Sequence, residues 1–223
     1  MMLDARPCRQ CPAPGIRWKP MNSEVNMSES RIPLPAPRTS GSVPLEAAIA
    51  RRRSVRRYAS GDLNLEQVGQ LLWAAQGITG GNTALRAAPS AGACHPLIFY
   101  VCRADGIWRY HPEGHYLARH LDRDVRRELA KAAWRQRFIA EAPCVFLISA
   151  IFERTTQRYG ERGRLRYVPM DVGHAAENLL LQAVALGLAS VPVGAFDDTA
   201  VRQVLALPGQ EEPLYILPVG YPR

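Results

Sequence analysis

The residues best suited to chemistry in this chain fall in two short stretches, Arg51–Tyr58 (RRRSVRRY) and Pro89–Pro96 (PSAGACHP). The first concentrates five arginines and a serine in eight residues. In an extended run, alternate side chains share a side, so Arg52, Ser54 and Arg56 point together while Arg51, Arg53 and Arg57 point elsewhere. Two guanidinium forks and a hydroxyl on one side match the oxygens of a phosphate. An arginine run is also what a solvated basic face looks like; the interleaved serine tips this one toward a ligand. The second stretch is a loop of small residues ahead of an apolar strand, where a flat ring can approach the backbone. Together they point to a nucleotide-like cofactor, a flavin before others.

Several elements must position these stretches. Leu45, Ala48 and Ile49 recur at helical spacing after Pro44, a residue suited to a first turn. That helix delivers the chain to the arginines. The patterns predict helices at 44–53, 64–77, 122–132, 134–141, 168–187 and 197–206. They predict strands at 97–103, 106–110, 115–118, 143–150, 189–193 and 213–220, with a hairpin turning at His111-Pro112-Glu113-Gly114. The charged segment 151–167 reads as a mobile element over a site. In the 168–187 helix, Val172, Ala175, Ala176, Leu179, Leu180, Ala183 and Val184 form an unbroken apolar face. Further apolar residues round it predict a helix buried on nearly all sides, in a core or an interface. Its polar residues, Asp171, His174, Glu177, Asn178 and Gln182, then need partners. Gly187 reads as its terminator. Beyond it, the strand Ala189–Val193 and the small residues Gly194 and Ala195 precede Asp197-Asp198, a helix cap that leaves backbone N–H groups at a sheet edge.

The 223 residues carry a formal charge of +8, and every basic residue except Lys19 and Lys131 is arginine. Charge alone permits nucleic-acid binding, but DRDVRRE and ERGRLR interleave acids with bases and argue against a broad basic stripe. No apolar run reaches membrane-spanning length. Seven of the eighteen prolines lie before residue 39, so residues 1–40 read as a disordered tail and residues 41–223 as the folded domain. Cys8 and Cys11 form a lone CxxC with no second pair to complete a metal site. Five cysteines without a regular framework fit a reducing cytoplasm. His111, His115 and His120 suit turn and strand-edge positions better than metal ligation. There is no GxGxxG, GxxxxGK[ST], HExxH or GxSxG.

From about Ile32 to Gly220 the chain resembles the nitroreductase-like flavoproteins, and within them the SagB/ThcOx-type dehydrogenase branch. The resemblance rests on RRRSVRRY (51–58), LEQVGQLLWAAQGI (65–78), RAAPSAGACHPLIFYV (86–101), GIWRYHPEGHYL (106–117), EAPCVFLISA (141–150), DVGHAAENLLLQAVALGL (171–188), VPVGAFDD (191–198) and EEPLYILPVG (211–220). It implies an α+β fold with a mostly antiparallel sheet flanked by helices. It also implies an intertwined homodimer with FMN at the interface and the 168–187 helix at its centre. The cofactor residues it implies are Arg52, Arg53, Ser54 and Arg56, then Pro89, Ser90, Ala91 and Gly92, then Asp171, Val193, Gly194 and Ala195, with Arg223 as the basic residue near the last strand. Asp171 matches a position whose side chain reaches the ring. For catalysis it implicates backbone at Gly194 and Ala195, facing the reactive edge, and Tyr167 as a proton donor or base, with Arg166 and His95 beside it. Ala93 stands where typical nitroreductases carry Asn, and Cys94-His95 replaces an apolar–aromatic pair. The activity implied is ping-pong hydride transfer between NAD(P)H, or a small-molecule or peptide substrate, and FMN, without nucleic-acid or membrane partners. The alternative is a non-catalytic flavin binder, or a subunit of a complex that oxidises peptide azolines to azoles.

Overall fold

The computed structural model describes residues 30–80 and 85–223. The CxxC at Cys8 and Cys11 and most of the proline-rich segment lie outside the described residues. Seven strands form one sheet in the order β1-β4-β3-β2-β5-β7-β6. They are β1 (Arg31–Pro33), β2 (Leu97–Arg103), β3 (Gly106–His111), β4 (Tyr116–Leu121), β5 (Cys144–Ala150), β6 (Ala189–Ser190) and β7 (Glu212–Gly220). Every neighbouring pair is antiparallel. The helices are α1 (Leu45–Arg51), α2 (Leu65–Gln76), α3 (Arg126–Ala132), α4 (Arg137–Glu141), α5 (Glu153–Tyr159), α6 (Val168–Ala185) and α7 (Asp198–Val204).

The central strands β2 and β5 are apolar along nearly their whole length because both faces of the sheet are covered. On one face, Phe99, Val101, Trp108, Phe146, Ile148 and Leu217 pack against α2 and α6. On the other, Tyr100, Ile107, Val145, Leu147 and Ile216 pack against α3, α4 and α7. Helix α2 starts at a reciprocal cap: Gln67 N–H donates to Asn64 Oδ1 (2.8 Å) and Asn64 N–H to Gln67 Oε1 (3.1 Å). Helix α6 packs on α2 and stops before Leu186, where Gly187 turns left-handed at φ +70°.

Four expectations need correction. The tail does not extend to residue 40: β1 pairs with β4, and Leu34 is buried while its N–H donates to His115 O (3.0 Å). Three residues are too few to show a period in a proline-rich background. The segment 151–167 is α5 followed by a π-helical turn, Gly163–Tyr167, that runs straight into α6. The strand expected at 189–193 stops at Ser190, because Pro192 has no N–H to donate; only Val193 rejoins the sheet, opposite Ile216. Helix α4 begins at Arg137 because Trp134 and Arg135 both take left-handed φ (+52° and +61°). Within this chain Met170, Gly173, His174 and Glu177 form an exposed stripe on α6.

Candidate functional site

The arginine stretch leaves α1 in extended conformation and lies along the free edge of β6. Val55 N–H donates to Ser190 O (3.0 Å), and Ser54 bridges Ser190 in parallel. Tyr58 ties the far end: its Oη is 3.0 Å from Val55 O and 3.1 Å from Pro218 O. Burial pushes the Tyr58 phenol pKa upward, against the nearby Arg56 charge. Arg52 makes only a long ion pair with Glu177, 3.7 Å, with both side chains partly exposed. Arg53 turns back to donate to Ala50 O (3.0 Å) and Arg52 O (2.7 Å), so its guanidinium caps the end of α1. The guanidinium of Arg56 lies over the Phe138 ring at 5.8 Å. Arg223 joins this group through its N–H to Arg57 O (3.3 Å).

The segment Val193–Ala195 stands beside them. Val193 exchanges both backbone hydrogen bonds with Ile216 (2.9 and 3.0 Å). Gly194 and Ala195 are exposed, and a Cβ on Gly194 would meet only the Tyr215 ring, at 3.8 Å. Gln136 Nε2 donates to both Ala195 O (2.8 Å) and Ala133 O (2.9 Å), and Asp197 N–H donates to Ala132 O (3.0 Å). The α3–α4 turn thus supports Arg56 through Phe138 and Val193–Ala195 through Gln136. A lone glutamine in WRQRF gave no signal of this in the sequence. Ser190 Oγ is buried and finds no partner among the described residues. It borders a cleft of about 230 Å³ lined also by Arg51, Arg52, Arg53, Leu180 and Pro222.

The small-residue loop is built around a buried carboxylate. Asp171, in the first turn of α6, is 4 % exposed. Its Oδ2 accepts from Ser90 Oγ (2.6 Å) and its Oδ1 from Ala91 N–H (3.4 Å). Ser90 Oγ in turn accepts from His95 N–H (3.0 Å). Burial is the main cause that raises the Asp171 pKa, outweighing those two hydrogen bonds. Gly92 is left-handed (φ +60°), and a Cβ there would fall 2.5 Å from the Tyr159 hydroxyl and 2.8 Å from Arg158. Tyr167 accepts from Arg162 Nε (2.8 Å) and meets the Tyr159 ring edge-on at 5.0 Å. Pro89, Ser90, Ala91, Gly92, Asp171 and Tyr167 are therefore one cluster. Asp171 lies under the loop, where its carboxylate accepts from Ser90 and Ala91.

The two clusters are separate in one chain. The loop meets the sheet where Leu97 opposes Ala150 and Ile151 N–H donates to Pro96 O. The arginine stretch meets it where Ser190 opposes Val219, which opposes Cys144. From Cys144 to Ala150, at about 3.4 Å per residue, is roughly 20 Å. The histidines are engaged separately: His111 stacks on Tyr116, His115 bonds Tyr110 and Pro35 O, and His120 bonds Leu205 O. No group of metal-ligating side chains occurs among the described residues, and no described helix is long and apolar enough to cross a membrane.

Residues 49–221 match the profile described as "Nitroreductase family". The chain is 46 % identical over 184 residues to a protein of Methanocaldococcus jannaschii that carries a nitroreductase name, covering 80 % of this chain and 91 % of that one. It is 31 % identical over 135 residues to the trifolitoxin-processing protein TfxB of Rhizobium leguminosarum bv. trifolii, covering 55 % of this chain and 35 % of that one. A crystal structure from Ralstonia eutropha JMP134, also named for a nitroreductase, superposes with a TM-score of 0.78 at 30 % identity, over 89 % and 92 % of the two chains. Another, from Desulfovibrio desulfuricans in complex with FMN, superposes with a TM-score of 0.61 at 25 % identity, over 80 % and 86 %.

Proposed function

This chain belongs to the nitroreductase family of oxidoreductases, and on that footing we propose that it is an FMN-dependent enzyme whose site is completed by a second copy of itself. The observation that carries the reading is the seam between the arginine stretch and β6. It sets Arg52, Ser54, Arg56 and Arg223 along one edge with exposed Gly194 and Ala195, above the unpartnered Ser190 hydroxyl. Arg52 and Arg56 would hold a phosphate as charge-assisted donors. Backbone N–H groups at Gly194 and Ala195 would face the ring and favour its reduced, more negative form. Bound FMN supplies hydride and electron transfer; the protein supplies position and electrostatics. Tyr167, held by Arg162, is the hydroxyl that would exchange a proton with substrate.

The second copy answers the roughly 20 Å that separates the loop from the arginine stretch. It also covers Leu45 and Ile49 on α1 and Met170 on α6, which are 61 %, 56 % and 50 % exposed. NADH or NADPH is the proposed reductant, in a ping-pong cycle that needs no dinucleotide fold. The trifolitoxin-processing relative favours a second direction of the same chemistry, dehydrogenation of a peptide heterocycle with electrons passing to the flavin. The test is the visible spectrum of the purified protein after incubation with FMN, followed by anaerobic addition of NADH or NADPH. Flavin bound and then bleached by either nucleotide supports the reading. Absence of FMN binding in a fluorescence titration overturns it, and bound flavin reduced by neither nucleotide assigns the electrons to another donor.

A further inference from the structure

We propose that Asp171 is a positioning residue: its carboxylate clamps the Ser90–His95 loop in a left-handed shape that the loop's own sequence does not favour, and so presents the loop to the cofactor. The argument starts from backbone strain. Three residues of the six in this loop, Gly92, Ala93 and His95, have positive φ (+60°, +52° and +45°). For Ala93 and His95 that conformation is costly, so something outside the loop must hold it. Asp171 is placed to do so, directly at Ala91 and through the Ser90 hydroxyl. Ala91 N–H donates to Asp171, Ala93 N–H to Ser90 O (3.0 Å), Cys94 N–H to Ala91 O (3.2 Å) and His95 N–H to Ser90 Oγ. Each of these four amides is thus satisfied by Asp171, by Ser90, or by Ala91, whose own N–H Asp171 accepts.

The carboxylate is held in the first turn of α6, a helix buried on its core side, so the anchor is rigid. Its electrostatic setting is unfavourable to the charge that makes the clamp. Burial raises the Asp171 pKa, with the Ser90 and Ala91 hydrogen bonds and the His174 and His95 charges opposing that effect only in part. Cys94, Arg154, Arg158 and Tyr159 are further ionisable groups at the loop, Arg154 donating to His95 O (3.0 Å) and Arg158 to Gly92 O (3.3 Å). A carboxyl kept where burial disfavours its charge is better explained by what it holds than by stability.

The flavin arm of the test rests on the FMN reading above; the exchange arm does not. Wild type, Asp171→Ala, Asp171→Asn, Ser90→Ala and the Ser90→Ala/Asp171→Ala double variant would be compared as apoprotein by hydrogen–deuterium exchange, and after FMN titration by affinity and midpoint potential. The clamp requires faster exchange in peptides covering 89–96 for Asp171→Ala, with β5 and the core of α6 unchanged. It requires FMN binding weakened at least tenfold with the bound flavin's potential close to wild type. Asp171→Asn, which keeps an acceptor for Ser90, should recover part of both. The double variant should be no worse than Asp171→Ala, because the two residues act as a unit. Unchanged exchange in 89–96 overturns the clamp whether or not FMN binds. A shifted potential with unchanged affinity overturns it in favour of direct contact with the ring. Faster exchange in Asp171→Ala together with a wild type that binds no FMN would sink the cofactor reading and leave the clamp standing.

Discussion

Replacing Arg56 by Ala is the sharpest probe of the arginine stretch, because the structure distinguishes the four neighbouring arginines. Arg56 makes no ion pair among the described residues and lies over Phe138. Arg52 is held by a 3.7 Å pair to Glu177 that is open to solvent, worth at most about 1 kcal/mol, so a phosphate can recruit it at little cost. Arg53 already donates to two carbonyls at the end of α1. Arg57 gives its backbone carbonyl to Arg223. A charge-assisted hydrogen bond contributes about 1.5–3 kcal/mol, and about 1.4 kcal/mol is tenfold in affinity. Arg56→Ala and Arg52→Ala should each weaken FMN binding by roughly ten- to a hundredfold. Arg53→Ala and Arg57→Ala should change it less than about threefold, and Arg53→Ala should instead lower the melting temperature by loosening α1.

Fluorescence titration with FMN, and with riboflavin as the phosphate-free control, reads this directly. Riboflavin should bind wild type and Arg56→Ala almost alike. Equal losses across all four variants would mean that the cluster acts as diffuse charge and that the side-by-side reading of Arg52 and Arg56 is wrong. No loss in any of them would move the phosphate to another part of the surface.

Three further outcomes are expected. Removing residues 1–40 strips Leu34 from the core and its bond to His115, and frees Gln70 from Arg38 (2.8 and 3.0 Å). The cost of about 3–5 kcal/mol should lower the melting temperature by roughly 6–20 °C, whereas removing residues 1–29 should not; equal melting of the two would refute the packing argument. Glu211→Ala leaves the buried hydroxyls of Tyr100 and Ser149 without their acceptor (3.0 and 2.8 Å). It should cost about 3–5 kcal/mol, with Glu211→Gln milder, as read by chemical denaturation. Because folding raises the Asp171 pKa, its favourable contribution exists at low pH and is lost as pH rises through the folded value. Asp171→Asn, with His174, His95, Cys94 and Arg158 unchanged around it, should therefore melt higher than wild type at about pH 8 and near it at about pH 4; a pH-independent difference would refute the sign.

The sequence carried the core of the fold because its periodicities are set by burial on both sides of β2 and β5 and on one side of α6. It placed α2 well because Asn64 and Gln67 form a reciprocal cap with a local signature. It missed β1, which owes its existence to an edge of β4 that no local pattern announces. It missed α5 and the π turn, two of whose arginines are spent on tertiary partners: Arg154 on His95 O and Arg164 on Glu212. For the site, residue types were readable and their partners were not. Ser90 and Asp171 stand 81 positions apart, and Gln136 meets Ala195 only because two left-handed residues turn α3 back into α4.

The separation of the two clusters yields the most discriminating prediction about the assembly. If each site takes its arginines and its Val193–Ala195 segment from one chain and its Ser90–Asp171 loop from the partner, defects in the two clusters must complement. Arg56→Ala and Asp171→Ala homodimers each contain only impaired sites. Mixed under conditions that exchange subunits, they form heterodimers in which one site combines both defects. The other combines the intact arginine edge of the Asp171→Ala chain with the intact loop of the Arg56→Ala chain. Random assortment makes half of the dimers mixed, so about a quarter of all sites should regain wild-type FMN affinity. A biphasic titration in which roughly that fraction binds tightly is the expected result. If the loop and the arginines of one chain served the same flavin, mixing would restore nothing, and the roughly 20 Å between them along β5 would have to be bridged within a single protomer.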